Sequence, residues 1–158
     1  MWVLAHNGTI FDSEVLAPYQ YLQDGTTDSE RILLYIVDKM NKYYKQNGEQ
    51  PDADQRVRIV DDVIREITPG NKVNLMLCDG ELFYVHKNEA GTLYFKETDG
   101  SVIFSTQSLG PDGWTETAQN RLLVYKDGEL FYAGRPHDHT YIHDEEKMKL
   151  LYFEYSGL

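Results

Sequence analysis

Beyond residue 73 the chain is punctuated three times by Asp-Gly between apolar runs: VNLMLCDGELFYVHK, TLYFKETDGSVIFST and NRLLVYKDGELFYAG. Asp-Gly between alternating runs is a strong signal for a two-residue β-hairpin, because both residues tolerate the left-handed backbone that such a turn needs. The second half is therefore expected to be antiparallel sheet. The hexapeptide DGELFY occurs at Asp79 and again at Asp127, with little echo on either side. Two hairpins with the same turn chemistry account for it without a true repeat. Runs such as NLMLC and RLLVY are apolar on both faces, which predicts sheets covered on both sides rather than a meander with one wet face.

The first half has helical spacing. Thr27 followed by Glu30 forms a capping-box pattern with Asp28 in the first turn, and opens a helix that runs to about Gln46. Leu33, Ile36, Val37, Met40 and Tyr44 share a face, and Asn47-Gly48 ends it. After the polar connection NGEQPDADQ a second amphipathic helix is expected over 52–67, with Val57, Val60, Ile64 and Ile67 inward and Pro69-Gly70 as terminator. Residues 12–22 read as a short irregular helix broken by Pro18. Residues 2–5 read as a strand and 149–155 as a last strand. Two helices followed by many strands predict an α+β fold with helices layered on antiparallel sheet, in one domain over 1–158. The opening strand WVLA is apolar on both faces. It is expected to need a partner strand from upstream or from another chain, with self-association as one route.

The net charge is 15 − 26 = −11 and the basic residues are scattered, which argues against nucleic acid and anionic membrane surfaces as partners. No apolar run approaches the length of a membrane span, and MWVLAHNG lacks the basic start of a signal peptide. Cys78 is the only cysteine, so no intrachain disulfide forms and a reducing, cytoplasmic setting is expected. Cys78 itself is expected to be a buried core residue in mid-strand.

Chemistry is suggested first by His6-Asn7-Gly8. An acyl-transfer intermediate needs donors aimed at its oxyanion, and an Asn carboxamide beside an unhindered Gly N–H offers two. Asn-Gly is also among the commonest turn dipeptides, so an ordinary turn is the competing reading. In TTDSE, Asp28 at a helix start either receives a substrate ammonium or simply caps the helix. The segment RPHDHTYIHDEE gathers His137, His139 and His143 with Asp138 and Asp144, but has no regular element to fix them, so a solvated loop is expected rather than a metal site. The aromatics Tyr43-Tyr44, Tyr94-Phe95, Tyr125 and Tyr152–Tyr155 are assigned to core and sheet packing. No phosphate-binding glycine loop and no G-x-S-x-G elbow is present, so no cofactor is expected.

HNGTIF followed by TDSERILLY resembles the class II glutamine amidotransferases, members of the N-terminal-nucleophile hydrolases. NLMLCDGELFYVHK and VIFSTQSL…GWTETAQNRLLVYKDGELFYAG extend the resemblance over nearly the whole chain. It implies an αββα layered sandwich. It implies that the Asn7 side chain and the Gly8 N–H form an oxyanion hole and that Asp28 binds the α-amino group of glutamine. In that family an N-terminal cysteine, with its own amine as base, attacks the δ-carboxamide to give a thioester and ammonia. An arginine segment upstream holds the α-carboxylate. This sequence has Met1 and Trp2 at its start and no His-Thr-Arg segment before HNG. The expectation is thus a sandwich without its first strands and a chain inactive alone, needing a cysteine-bearing segment. The alternative is an inactive module binding glutamine or a γ-glutamyl compound, or one subunit of a split enzyme.

Overall fold

The computed structural model describes residues 1–156, excluding the side chains of 147 and 152–156, so the aromatics of Tyr152–Tyr155 lie outside the described residues. Helix α1 spans Asp28–Asn47 and α2 spans Ala53–Ile67. The Thr27 hydroxyl accepts the Glu30 N–H at 3.3 Å, and Gly48 closes α1 in the left-handed region at φ 76°. Glu30 does not return to Thr27: its carboxylate takes the N–H groups of Asp24 and Gly25, tying down the loop before the helix. The reciprocal capping box belongs to α2, between Asp52 and Gln55. The buried face of α1 is Ile32, Tyr35, Ile36 and Met40, about one position round from the expected stripe, and Tyr44 is exposed. Residues Ala17–Tyr21 form a 3-10 turn.

Strands β1 (Val3–His6), β2 (Leu75–Cys78), β3 (Phe83–His86), β7 (Leu123–Lys126) and β8 (Glu129–Ala133) make one antiparallel sheet in the order β1-β2-β3-β7-β8. Strands β4 (Tyr94–Thr98), β5 (Ser101–Ser105) and β6 (Thr115–Glu116) make a second, in the order β5-β4-β6. Alternation along each strand divides the core in two. Leu75, Leu77, Tyr84 and Val124 face α1 and α2, while Val85, Leu123 and Tyr125 meet Val102 and Phe104 of the smaller sheet and Leu93 just before it. The described residues thus form three layers, helices on sheet on sheet. Buried Lys87 ties the layers together by its ion pair with Glu116.

The three Asp-Gly sites fold differently. Asp127 and Gly128 both lie in the left-handed region (φ 52° and 82°), as a tight two-residue turn demands. Asp99-Gly100 also joins its strands directly, since Thr98 pairs with Ser101. Asp79-Gly80 does not. The connection there is 79–82, because the Asp79 carboxylate accepts the N–H groups of Glu81 and Leu82, the Tyr84 hydroxyl and an ion pair from Arg56. A side chain that caps its own loop overrides the two-residue preference.

Two further expectations are corrected. Residues 149–155 are not a strand: they lie in helix α3, Glu145–Ser156. Asp144 starts it by accepting the Glu146 N–H at 3.0 Å, and Glu145 and Glu146 sit in the favourable first turn. Strand β1 is not buried on both faces. It is an edge strand, Val3 is 54% exposed, and among the described residues no strand pairs with its outer edge. No helix of the described residues is long and apolar enough to cross a membrane.

Candidate functional site

His6-Asn7-Gly8 is not a turn but a bend inside a continuing ladder. His6 pairs with Leu75, the Asn7 N–H donates to the Asn74 carbonyl at 2.8 Å, and Thr9 pairs with Lys72. The register is unbroken, since 6 + 75 and 9 + 72 give the same sum. In an antiparallel ladder alternate residues aim their N–H groups at the partner strand. Asn7 and Thr9 do so here, while the Gly8 N–H donates to neither the Asn74 nor the Lys72 carbonyl. Neither that N–H nor the Asn7 carboxamide has a hydrogen-bond partner among the described residues. The Asn7 side chain is exposed. Gly8 is required by space rather than by φ: a Cβ would lie 2.2 Å from the Lys72 carbonyl oxygen and 2.3 Å from His6 Nε2.

His6 joins this bend to the start of α1. Its ring is almost fully buried, with Nε2 donating to the Lys72 carbonyl at 3.3 Å and Nδ1 facing both the Ser29 hydroxyl at 3.3 Å and Asp28 Oδ1 at 3.7 Å. Asp28 Oδ2 accepts the Ile10 N–H at 2.8 Å. Burial alone would raise the Asp28 carboxyl, but the neighbouring His6 ring and hydrogen bonds from the Ile10 and Ser29 N–H groups outweigh it and hold it below the usual carboxylate range. Asp28 is thus a carboxylate at neutral pH. About a fifth of its side chain is open to solvent, and a carboxylate has lone pairs left after these contacts.

A cavity of about 180 Å³ opens on the sandwich side of β1. His6, Asn7, Asn74, Met76, Leu93 and Thr106 are among its walls, and no carboxylate, Asp28 included, and no lysine or arginine lines it. Asn7 and Asp28 are therefore brought together through His6, not across this cavity. His6, Ser29 and the carbonyls of 72 and 74 were not singled out as site residues from the sequence. Only the strand-end position of His6 beside Asn-Gly could have drawn attention to it.

Cys78 is not a buried mid-strand residue. It ends β2, is half-buried, and its sulfur accepts the Gly80 N–H at 3.4 Å. It pairs with Val3, three ladder positions or about 10 Å from the His6 level. The histidine-rich segment is not simply solvated either. His137 is 8% exposed and its Nε2 lies 2.9 Å from His86 Nε2. His139 stacks on His137. Among the described residues no group of three or more His, Cys, Asp or Glu side chains is placed to hold a metal ion.

Comparison with known proteins gives the bend and the helix start a context. An uncharacterized protein of Methanocaldococcus jannaschii is 24% identical over an alignment covering 83% of this chain and 43% of that protein. A crystal structure of a predicted glutamine amidotransferase from Pseudomonas aeruginosa superposes with a TM-score of 0.65 at 16% identity, covering 83% of this chain and 60% of that one. A class-II domain protein from Silicibacter pomeroyi, named a glutamine aminotransferase, superposes with a TM-score of 0.53 at 18% identity, covering 87% and 69%. At these identities the two structures establish a shared fold. The chain spans less than half the length of the archaeal relative and about three-fifths of the Pseudomonas protein. The family model of the class-II glutamine amidotransferases matches residues 1–96, more than half the chain and the whole of the His6–Asp28 arrangement. This chain belongs to the class-II glutamine amidotransferases.

Proposed function

We propose that this chain carries the oxyanion-hole and amino-group half of a site that cleaves the side-chain amide of glutamine or of a γ-glutamyl compound. The Gly8 N–H and the Asn7 carboxamide receive the oxyanion, and Asp28 receives the α-ammonium. The observation that carries this reading is that both donors are unspent while the Asp28 carboxylate is held ionised against the imidazole next to them. Fixed donors of this kind matter because they need no reorganisation as charge develops, and losing one costs roughly 3 kcal/mol in the barrier.

The nucleophile in this reading is a thiol at the N-terminus of a strand added along the open edge of β1. Cys78 does not fill that role, because it lies at the far end of the β1–β2 pairing and has no free amine beside it. Attack on the δ-carbonyl forms a thioester and expels ammonia; water then releases the acid and restores the thiol. No cofactor enters these steps. A reducing cytoplasm suits such a thiol. The open edge also favours a second reading, in which a separate polypeptide supplies the strand and this chain by itself only binds the amino acid.

Both readings make the same first prediction. L-glutamine or L-glutamate at millimolar concentration raises the melting temperature of the 158-residue chain. Asp28→Asn, which keeps an oxygen for Ile10 but removes the charge, weakens that binding at least tenfold, about 1.4 kcal/mol. The chain alone releases no ammonia from glutamine. The absence of any thermal shift with glutamine, glutamate and a γ-glutamyl amide alike would sink both readings, and equal binding by the Asp28→Asn variant would remove Asp28 from the site.

A further inference from the structure

We propose that His86 and His137 are positioning residues for the Asn7-Gly8 donors, acting through the backbone of 71–74. The role at the oxyanion rests on the reading of Asn7 and Gly8 given above; the coupling itself rests on hydrogen bonds alone.

The segment 71–74 is gripped from two sides with the period of a strand. Lys72 and Asn74 turn their carbonyls to the bend, where they take the N–H groups of Thr9 and Asn7 and the ring of His6. Asn71 and Val73 turn theirs the other way. The Val73 carbonyl faces His86 Nδ1 at 2.8 Å, the Val73 N–H donates to Asn88 Oδ1 at 2.8 Å, and Asn88 Nδ2 donates to the Asn71 carbonyl at 2.8 Å and to the His139 carbonyl at 3.0 Å. Asn74 Oδ1 accepts the Asn88 N–H at 3.2 Å.

The imidazole pair admits a single neutral arrangement. A carbonyl only accepts, so His86 carries its proton on Nδ1 and its Nε2 is bare. The His139 N–H donates to His137 Nδ1 at 3.2 Å, so His137 carries its proton on Nε2. That proton points at His86 Nε2, 2.9 Å away. The chain of donors therefore runs from the His139 amide through His137 and His86 to the Val73 carbonyl. Two buried imidazoles are costly to keep unless every nitrogen is satisfied, and here all four are. The charged and titratable groups facing the pair are Arg65 on α2, paired with Asp61, and Asp138 and His139 on the segment after β8. The product of this network is a fixed position for the carbonyls of 72 and 74, and hence for the bend that presents Asn7 and Gly8.

The test is amide NMR on the 158-residue chain without ligand. In His137→Ala the resonances of Asn7, Gly8 and Thr9 shift, and exchange of the Asn7 and Thr9 amides quickens at least tenfold, while Ile36 and Val60 keep their protection. His137→Gln, whose carboxamide donates to His86 and accepts from His139, returns these amides to within about twofold of wild type. A folded His137→Ala with unmoved Asn7, Gly8 and Thr9 signals overturns the proposal. Should His137→Ala fail to fold, ring-nitrogen spectra of the wild type decide: Nδ1–H on His86 with Nε2–H on His137 at neutral pH supports it, and any other protonation pattern overturns it. Coupled shifts in a chain that binds no glutamine would instead uphold the positioning and refute the function it serves.

Discussion

Gly8→Ala is expected to destabilise the chain by about 3 kcal/mol, lowering the melting temperature by roughly 6–12 °C, and to abolish stabilisation by glutamine or glutamate. The new methyl would sit 2.2 Å from the Lys72 carbonyl oxygen and 2.3 Å from His6 Nε2, where Cβ contacts essentially never fall below 3.0 Å. Neither neighbour can step aside alone. The Lys72 carbonyl is held by Thr9 N–H, and its residue returns a bond to the Thr9 carbonyl at 3.1 Å. The His6 ring is wedged between that carbonyl and the Ser29 and Asp28 side chains. Relief requires opening the Thr9–Lys72 bridge or expelling the imidazole, and either one moves the donors. Gly70→Ala is the matching control, since its Cβ would meet nothing within 4 Å and only the left-handed backbone at φ 72° is strained. That variant should lose about 1–2 kcal/mol and retain ligand binding. Thermal unfolding with and without L-glutamate separates the two. A Gly8→Ala chain that melts with wild type and still responds to glutamate would show that the bend is not the crowded element inferred here.

Local chemistry made much of this architecture legible. The Thr27 cap of α1, the apolar spacing of Val57, Val60, Ile64 and Ile67, and the hairpins at Asp99 and Asp127 follow from short-range rules. Two of the failures share a different cause: partners distant in sequence. Asp79 becomes a loop cap because Arg56 and Tyr84 arrive at its carboxylate. The strand expected over 149–155 fails for a local reason instead, because Asp144 and two glutamates open a helix there. His137 looked like part of a solvated cluster until His86, which lies 51 residues away, supplied its partner. At the site, Asn7, Gly8 and Asp28 stood out by residue type and by resemblance. What joins them, the His6 ring and the carbonyls of 72 and 74, is backbone and packing, and neither announces itself in a residue string.

Stability is expected to fall steeply with acid between about pH 6.5 and pH 4, with the imidazole pair as the principal cause. Burial first, and then the charge each ring would place on the other or on its neighbours, holds His86 down to about 3 and His137 to about 4. Above pH 6.5 neither the folded nor the unfolded chain protonates these rings, so they leave stability unchanged. Below it the unfolded chain takes up protons that the folded chain refuses, and the difference persists until the pH approaches the folded values. Each such proton contributes a slope of about 1.4 kcal/mol per pH unit, so two give a loss on the order of 3–6 kcal/mol across this window. Asp28 acts lower on the scale. Its depressed pKa contributes stability that is complete above the ordinary carboxylate value and is lost only as the pH falls below it. Urea midpoints at successive pH values read the slope directly. His137→Gln removes one titrating ring while keeping the hydrogen bonds, and should roughly halve the slope between pH 6.5 and 4.5 without lowering stability at pH 7.5. An unchanged slope in that variant would move the acid sensitivity elsewhere, to the carboxylates. A halved slope would identify the braced imidazoles as the element that fails first, and since they hold 71–74, the donors at Asn7 and Gly8 would be lost with them.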